Sequence, residues 1–270
     1  MAMKKIAALI AGLALAFSLT ACSGAPKAAP TNGGAKAQGD SFVVGFDAEF
    51  PPFGFKDNSG KFVGFDLDLA QEVAKRNGWE YKPQPIAWDS KDAELGSGQI
   101  DCIWNGFTMT GREDKYAWSK PYVNNKIVFV VKADSGIAKP ADLAGKVVDV
   151  QKDSSGLAAL QDPANKALTD SFSTLTQVDD YNTALTDLTA GATAAVAMDS
   201  TVAEYKIKQL GADKFTVIDP GFKAEAYGVG FALGKEKLRD QVQKTLDEMA
   251  ADGTLQKIAE KWGEQGALVK

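Results

Sequence analysis

Histidine is absent from all 270 residues. That removes the commonest catalytic base and the commonest metal ligand. Cysteine occurs only at Cys22 and Cys102, too few for a metal framework, and no cofactor is expected. Positive charge is also short, with a net charge of −5 and an isoelectric point of about 5.0. A nucleic-acid binder would carry a basic face, so that class is set aside. What remains, 45% hydrophobic and 24% charged residues, suits a soluble globular protein of one large or two smaller domains.

The N-terminus reads as a targeting segment. Lys4 and Lys5 precede an apolar run over residues 6–19. The run is too short for a typical membrane span and fits the core of an export signal. It ends in Leu19-Thr20-Ala21-Cys22. This resembles the bacterial lipobox, whose cysteine becomes the lipidated first residue of the mature protein. An ordinary cleavable signal with an incidental cysteine is the plainer alternative. We expect residues 1–21 to leave as a signal peptide and Cys22 to carry lipid. Two lysines go with the leader, so the charge moves from −5 to −7. Cys102 is then left without an intramolecular partner. It lies in the apolar run 100–103 and reads as a small buried hydrophobe. Residues 22–40 are rich in Gly, Ala, Pro, Lys and Ser and cannot bury enough surface to fold. They read as a flexible tether.

From Asp40 onward two β-α-β-α-β units follow one another. In the first, strands are expected over 41–46, 79–86 and 99–104. Helices are expected over 66–77, capped by Asp66 and stopped by Gly78, and over 88–97. A hairpin is expected over 55–63, around the turn cluster Asp57-Asn58-Ser59-Gly60. In the second unit, strands are expected over 126–132, 147–151, 173–178 and 194–198, with helices from about Leu157 and over 182–189. A strand over 227–233 and helices over 235–250 and 254–262 complete the chain. Such sheets carry helices on their faces and bind ligands beyond the carboxyl ends of their strands. Asp47, Phe50, Trp88 and residues 105–112 fall at those ends, as do Ser154, Ser155, Gly156 and Asp199.

The stretch Trp104-Asn-Gly-Phe-Thr-Met-Thr-Gly-Arg112 is the chemically richest. Gly106 permits a close backbone approach, Thr108 and Thr110 offer hydroxyls, and Arg112 supplies a planar fork suited to a carboxylate. An ordinary strand exit with a surface arginine accounts for the same letters. Phe50 and Phe53 are either hydrophobic plugs or plates facing a ligand. Gly156, at a helix start, offers exposed N–H groups to an anion.

Together these motifs resemble the polar amino-acid-binding proteins that feed ABC importers (bacterial extracellular solute-binding proteins, family 3). The resemblance covers residues 41–263. It rests on Val44-Gly-Phe-Asp-Ala-Glu-Phe-Pro-Pro-Phe53, Gly64-Phe-Asp-Leu-Asp-Leu69, Gly106-Phe-Thr-Met-Thr110 with Arg112, and Trp118-Ser-Lys-Pro-Tyr122. Val148-Asp-Val-Gln-Lys-Asp-Ser-Ser-Gly156, Met198-Asp199 and Asp252-Gly-Thr-Leu-Gln-Lys-Ile258 complete it. It implies a two-lobed α/β fold of the type II periplasmic-binding-protein kind, with hinge crossings near residues 122–126 and 222–228. Lobe one would comprise residues 41–123 and 228–270, and lobe two residues 124–227. It further implies that Arg112 holds an α-carboxylate, helped by backbone donors at Ser155 and Gly156. Asp199, Thr108 and the Gly106 carbonyl would hold the α-ammonium. Phe50, Trp88 and Asp47 would meet the side chain. The loop before Arg112 departs from the usual pattern, since Gly111 alone separates it from Thr110. Asn105 favours neutral polar groups, and a polar uncharged ligand such as glutamine or cystine is the expectation. Asp47 and Glu49 favour a basic one, which Lys152 would oppose. The expected protein is a non-enzymatic, monomeric lipoprotein on the extracytoplasmic face of the membrane, serving an ABC permease. A same-fold enzyme (dehydratase-like), a sensor or an adhesin is the rival reading.

Overall fold

The computed structural model describes residues 35–270. The export signal, Cys22 and the tether up to residue 34 lie outside the described residues. Two five-stranded sheets organise the chain. In the first, the order is Glu80–Pro85, Ser41–Phe46, Cys102–Ile103, Gly230–Phe231 and Ala117–Trp118. The first three are parallel, and the last two close the sheet antiparallel. The second sheet runs Thr174–Val178, Val147–Gln151, Ala195–Asp199, Ile127–Lys132 and Phe215–Ile218, again with a parallel core and an antiparallel edge. Each sheet bears helices, which makes two α/β lobes. Between them in the chain, Val123–Asn125 pairs antiparallel with Glu225–Tyr227.

The helix Phe65–Asn77 shows how sequence builds these layers. Leu69, Ala70, Val73 and Ala74 are buried, its first turn is acidic at Asp66 and Asp68, and its last turn is basic at Lys75 and Arg76. The charges of Asp68, Lys75 and Arg76 complement the helix dipole. Gly78, at φ 69, ends it in the left-handed conformation that glycine adopts freely. Asp66 does not cap it, contrary to the sequence reading. Gly64 is the N-cap, and the Asp66 carboxylate points inward, accepting from the Gly106 N–H at 2.6 Å and the Tyr122 hydroxyl at 2.7 Å.

Other differences have local causes. The strand expected over 227–233 is two pieces. Gly228 and Gly230 lie so close to Met109, Phe107 and Trp118 that side chains there would collide, and the chain passes from the ribbon to the first sheet. The helix Ser200–Leu210 and the strand Phe215–Ile218 were not anticipated. The end of the expected tether is docked. The Lys36 N–H donates to Gln241 Oε1 at 2.8 Å, its amine pairs with Asp101 at 3.0 Å, and the Gly39 N–H meets the Gly78 carbonyl at 2.8 Å. Cys102 is fully buried and unpaired. Among the described residues, no helix is long and apolar enough to cross a membrane.

Candidate functional site

The carboxyl ends of the two parallel cores meet. Asp47, just past Ser41–Phe46, accepts from Gln151 Nε2 of the second sheet at 2.7 Å and from the Glu49 N–H at 2.8 Å. It is 7% exposed. Burial raises its pKa, against the pull of those donors. Phe50 stacks on Tyr181 with centroids 5.8 Å apart. The Trp88 indole N–H donates to the Asp153 carbonyl at 3.2 Å. Thus three of the expected lobe-one residues touch lobe two directly. Asn105 instead braces its own lobe, accepting from the Asp47 N–H at 2.9 Å.

The turn after Cys102–Ile103 is set by Gly106, at φ 55. A Cβ there would lie 2.8 Å from Phe50 Cε1 and 3.0 Å from Tyr227 Cε2, so only glycine fits without movement. Thr108 is buried and donates its hydroxyl to Glu225 Oε2 at 3.1 Å. The Arg112 guanidinium lies over the Phe107 ring at 5.4 Å and donates to two main-chain carbonyls, Thr108 at 3.3 Å and Asp153 at 3.2 Å. No carboxylate among the described residues is paired with it, so its charge is free to meet one.

Across from it, the helix Ser155–Gln161 begins. The Ser154 hydroxyl accepts from the Leu157 N–H at 3.1 Å, a cap that does not use the N–H groups of Ser155 and Gly156. Both residues are buried. Asp199 ends its strand with a carboxylate held by neutral donors only. Asn125 Nδ2 and the Tyr227 hydroxyl each reach Oδ1 at 2.7 Å, and the Tyr181 hydroxyl reaches Oδ2 at 2.8 Å. Burial raises its pKa and these donors oppose the rise. A cleft of about 560 Å³ is lined by Arg112, Asp153, Ser154, Ser155 and Glu225, among others. The structure thus gathers Arg112 and Ser155 at one cleft and ties Thr108 to Asp199 through Glu225 and Asn125. Lys152 goes elsewhere. Its amine bridges Asp89 at 2.7 Å and Asp179 at 2.8 Å, and those partners raise its pKa.

Several participants were missed from sequence. Glu225, Tyr181 and Tyr227 lie far along the chain from the residues they meet, and no local pattern marks them. The one usable signal was the position of Glu225 inside the expected second crossing. Asp153 is the only non-glycine described residue at positive φ, 54°, a conformation that aspartate tolerates better than most residues. It pairs with the buried Lys91 amine.

Comparison with known proteins agrees with this architecture. The family model for bacterial extracellular solute-binding proteins, family 3, matches residues 42–265. The L-cystine-binding protein TcyJ of Escherichia coli is 34% identical over 225 residues, covering 82% of each chain. The arginine-binding extracellular protein ArtP of Bacillus subtilis is 32% identical over 266 residues, covering 96% of this chain and 98% of its own. An ABC uptake transporter substrate-binding protein of Streptococcus pneumoniae, solved with bound histidine, superposes with a TM-score of 0.81 at 36% identity. The match covers 84% of this chain and 94% of that one. With two lobes whose strand ends meet, an unpaired arginine sharing a cleft with the buried Glu225, and these relatives, the chain belongs to the bacterial extracellular solute-binding proteins of family 3, which bind amino acids for ABC importers.

Proposed function

We propose that this chain is a lipid-anchored monomer, held through Cys22 at the outer face of the membrane, that captures a polar α-amino acid and delivers it to an ABC permease. In this reading Arg112, with Ser155 and Gly156, takes the α-carboxylate, and Asp199 and Thr108 take the α-ammonium. The observation that carries it is one cation and one buried anion that each lack an opposite charge among the described residues. Among the described residues Arg112 has no acid paired with it, while Asp199 has only neutral donors. One fixed cation and one fixed anion form a template for a zwitterion. Because they come from different lobes, the ligand favours closure.

Of the side-chain classes weighed from the sequence, the geometry favours the basic one over the neutral polar one. Asp47 is buried at the lobe boundary with neutral hydrogen-bond partners only. Lys152, which would oppose a cation, is held by Asp89 and Asp179. A thermal-shift screen of residues 35–270 against the common amino acids and cystine tests both. A ligand at a hundredfold excess over its dissociation constant adds about 2.7 kcal/mol. The largest shift is expected with arginine or lysine. A larger one with glutamine or cystine would restore the neutral reading, and no shift with any amino acid would overturn the site.

A further inference from the structure

Building on that reading of the cleft, we infer that Glu225 is a second acid of the ammonium seat, which holds a proton while the cleft is empty and gives it to solvent when the ligand's ammonium arrives. Glu225 lies on the crossing strand Glu225–Tyr227, is 8% exposed and lines the same cleft as Arg112 and Ser155. Its Oε2 accepts from the Thr108 hydroxyl at 3.1 Å and from Asn125 Nδ2 at 3.0 Å. That same Asn125 nitrogen donates to Asp199 Oδ1 at 2.7 Å. Two buried carboxylates therefore share one amide group, and no lysine or arginine among the described residues pairs with either.

Two such acids cannot both ionise cheaply in a dry, cation-free site. The proton belongs on Glu225, because the donors to Asp199 lie at 2.7, 2.7 and 2.8 Å whereas Asn125 and Thr108 reach Glu225 only at 3.0 and 3.1 Å. The surrounding groups do not alter this. The Tyr181 and Tyr227 hydroxyls donate to Asp199, and burial beside that acid holds both phenols well above their usual range. Arg112 is held on the Thr108 and Asp153 carbonyls. Lys223, on the same segment, is exposed and lies 3.7 Å from Asp162. Burial first, and Asp199 second, push the Glu225 carboxyl up to about 7, against hydrogen bonds from Asn125, Thr108 and Ser155. An arriving ammonium offsets both, because its positive charge favours the ionised carboxylate. The empty protein then carries more bound protons than the loaded one at neutral pH, so affinity rises with pH through this range and levels off above it.

The test is titration calorimetry of the full chain with L-arginine, L-glutamine and L-cystine, in phosphate and in imidazole, whose ionisation heats differ. For a ligand that binds, the heats in the two buffers are expected to differ by close to one proton at pH 6, about half at pH 7 and about a tenth at pH 8, with affinity about fivefold weaker at pH 6 than at pH 7. In Glu225→Gln, which keeps an acceptor for Thr108 and Asn125, proton release disappears and affinity becomes flat with pH. Binding without any buffer dependence overturns the inference while leaving the amino-acid site intact. Release that persists in Glu225→Gln assigns the proton elsewhere and also overturns it. Failure of all three ligands to bind removes the site reading, and the inference with it. If the variant fails to fold, the buffer comparison on the unaltered chain decides alone.

Discussion

At the scale of single residues, the site is a matter of charges left without opposite partners. Arg112 makes only two hydrogen bonds to main-chain carbonyls and rests on Phe107, so the fold does not depend on its charge. Arg112→Ala is expected to cost about 2–5 kcal/mol in ligand affinity, the usual loss when one side of a desolvated charge pair is removed. The melting temperature of the ligand-free protein should barely move. Arg112→Lys keeps the charge but loses the fork, and should fall between the two. Calorimetry with the best ligand from the screen checks this; normal binding by the alanine variant would sink the carboxylate assignment. Gly106 makes the opposite kind of demand. Gly106→Ala puts a Cβ against Phe50 and Tyr227 at a left-handed backbone, and should destabilise the protein by roughly 1–3 kcal/mol, read by urea unfolding. The close approach at Gly106 was legible in sequence, because a glycine signals a specific physical need; the carboxylate role read for Arg112 rests on the binding experiment. Glu225 was not legible. Its partner Thr108 lies 117 positions away, and nothing local distinguishes it from a surface glutamate.

At the scale of elements, periodicity was a good guide where one face of a helix or a whole strand is buried. The expected strands 41–46 and 147–151 and the helix 254–262 agree with Ser41–Phe46, Val147–Gln151 and Thr254–Trp262. It failed where long-range packing decides. Gly228 and Gly230 break a run that reads as one strand because Met109, Phe107 and Trp118, far away in the chain, crowd them. Ser200–Leu210 starts directly at the end of the strand Ala195–Asp199, with no loop to announce it. The loop after Val147–Gln151 carries the clearest contact between elements. Asp153 offers its carbonyl to Trp88 and Arg112, and its carboxylate to Lys91. The Lys91 side chain is 1% exposed, whereas that of Asp153 is 51% exposed. Asp153→Asn keeps a residue that tolerates positive φ but leaves a buried ammonium with Asp92 alone, 4.0 Å away. A loss of about 1–3 kcal/mol is expected, below the full penalty for a buried pair because Asp153 itself is half in water. Urea unfolding measures it. An unchanged midpoint would mean that Lys91 does not need the acid.

For the whole molecule, the repeated β-α-β pattern made two sheets legible, since alternating strands and helices have few other ways to pack. The return of the chain's end to the first sheet came only with the family resemblance. What no pattern revealed is how many acids the fold buries without a cation. Asp66, Glu225 and Glu264 are each held up at about 7, burial being the largest cause in all three. A carboxyl whose folded pKa lies above its unfolded one binds its proton more tightly in the native state. Its contribution to stability is complete below the unfolded pKa, near 4, and is lost as pH rises through about 7. Exposed acids such as Asp89, Asp219 and Asp247 act in the opposite sense. Lysine partners hold them low, so their contribution is present above about pH 4 and is lost as pH falls below it. The ligand-free protein should therefore be most stable near pH 5, and its melting temperature should fall by several degrees between pH 5 and pH 8. Saturating ligand should shrink that fall, because the ammonium replaces the proton that Glu225 gives up, while Asp66 and Glu264 still lose theirs as pH rises through about 7. Scanning calorimetry across this range, with and without ligand, separates the two contributions. A melting temperature that rises from pH 5 to pH 8 without ligand would mean that the buried acids are ionised in the empty protein.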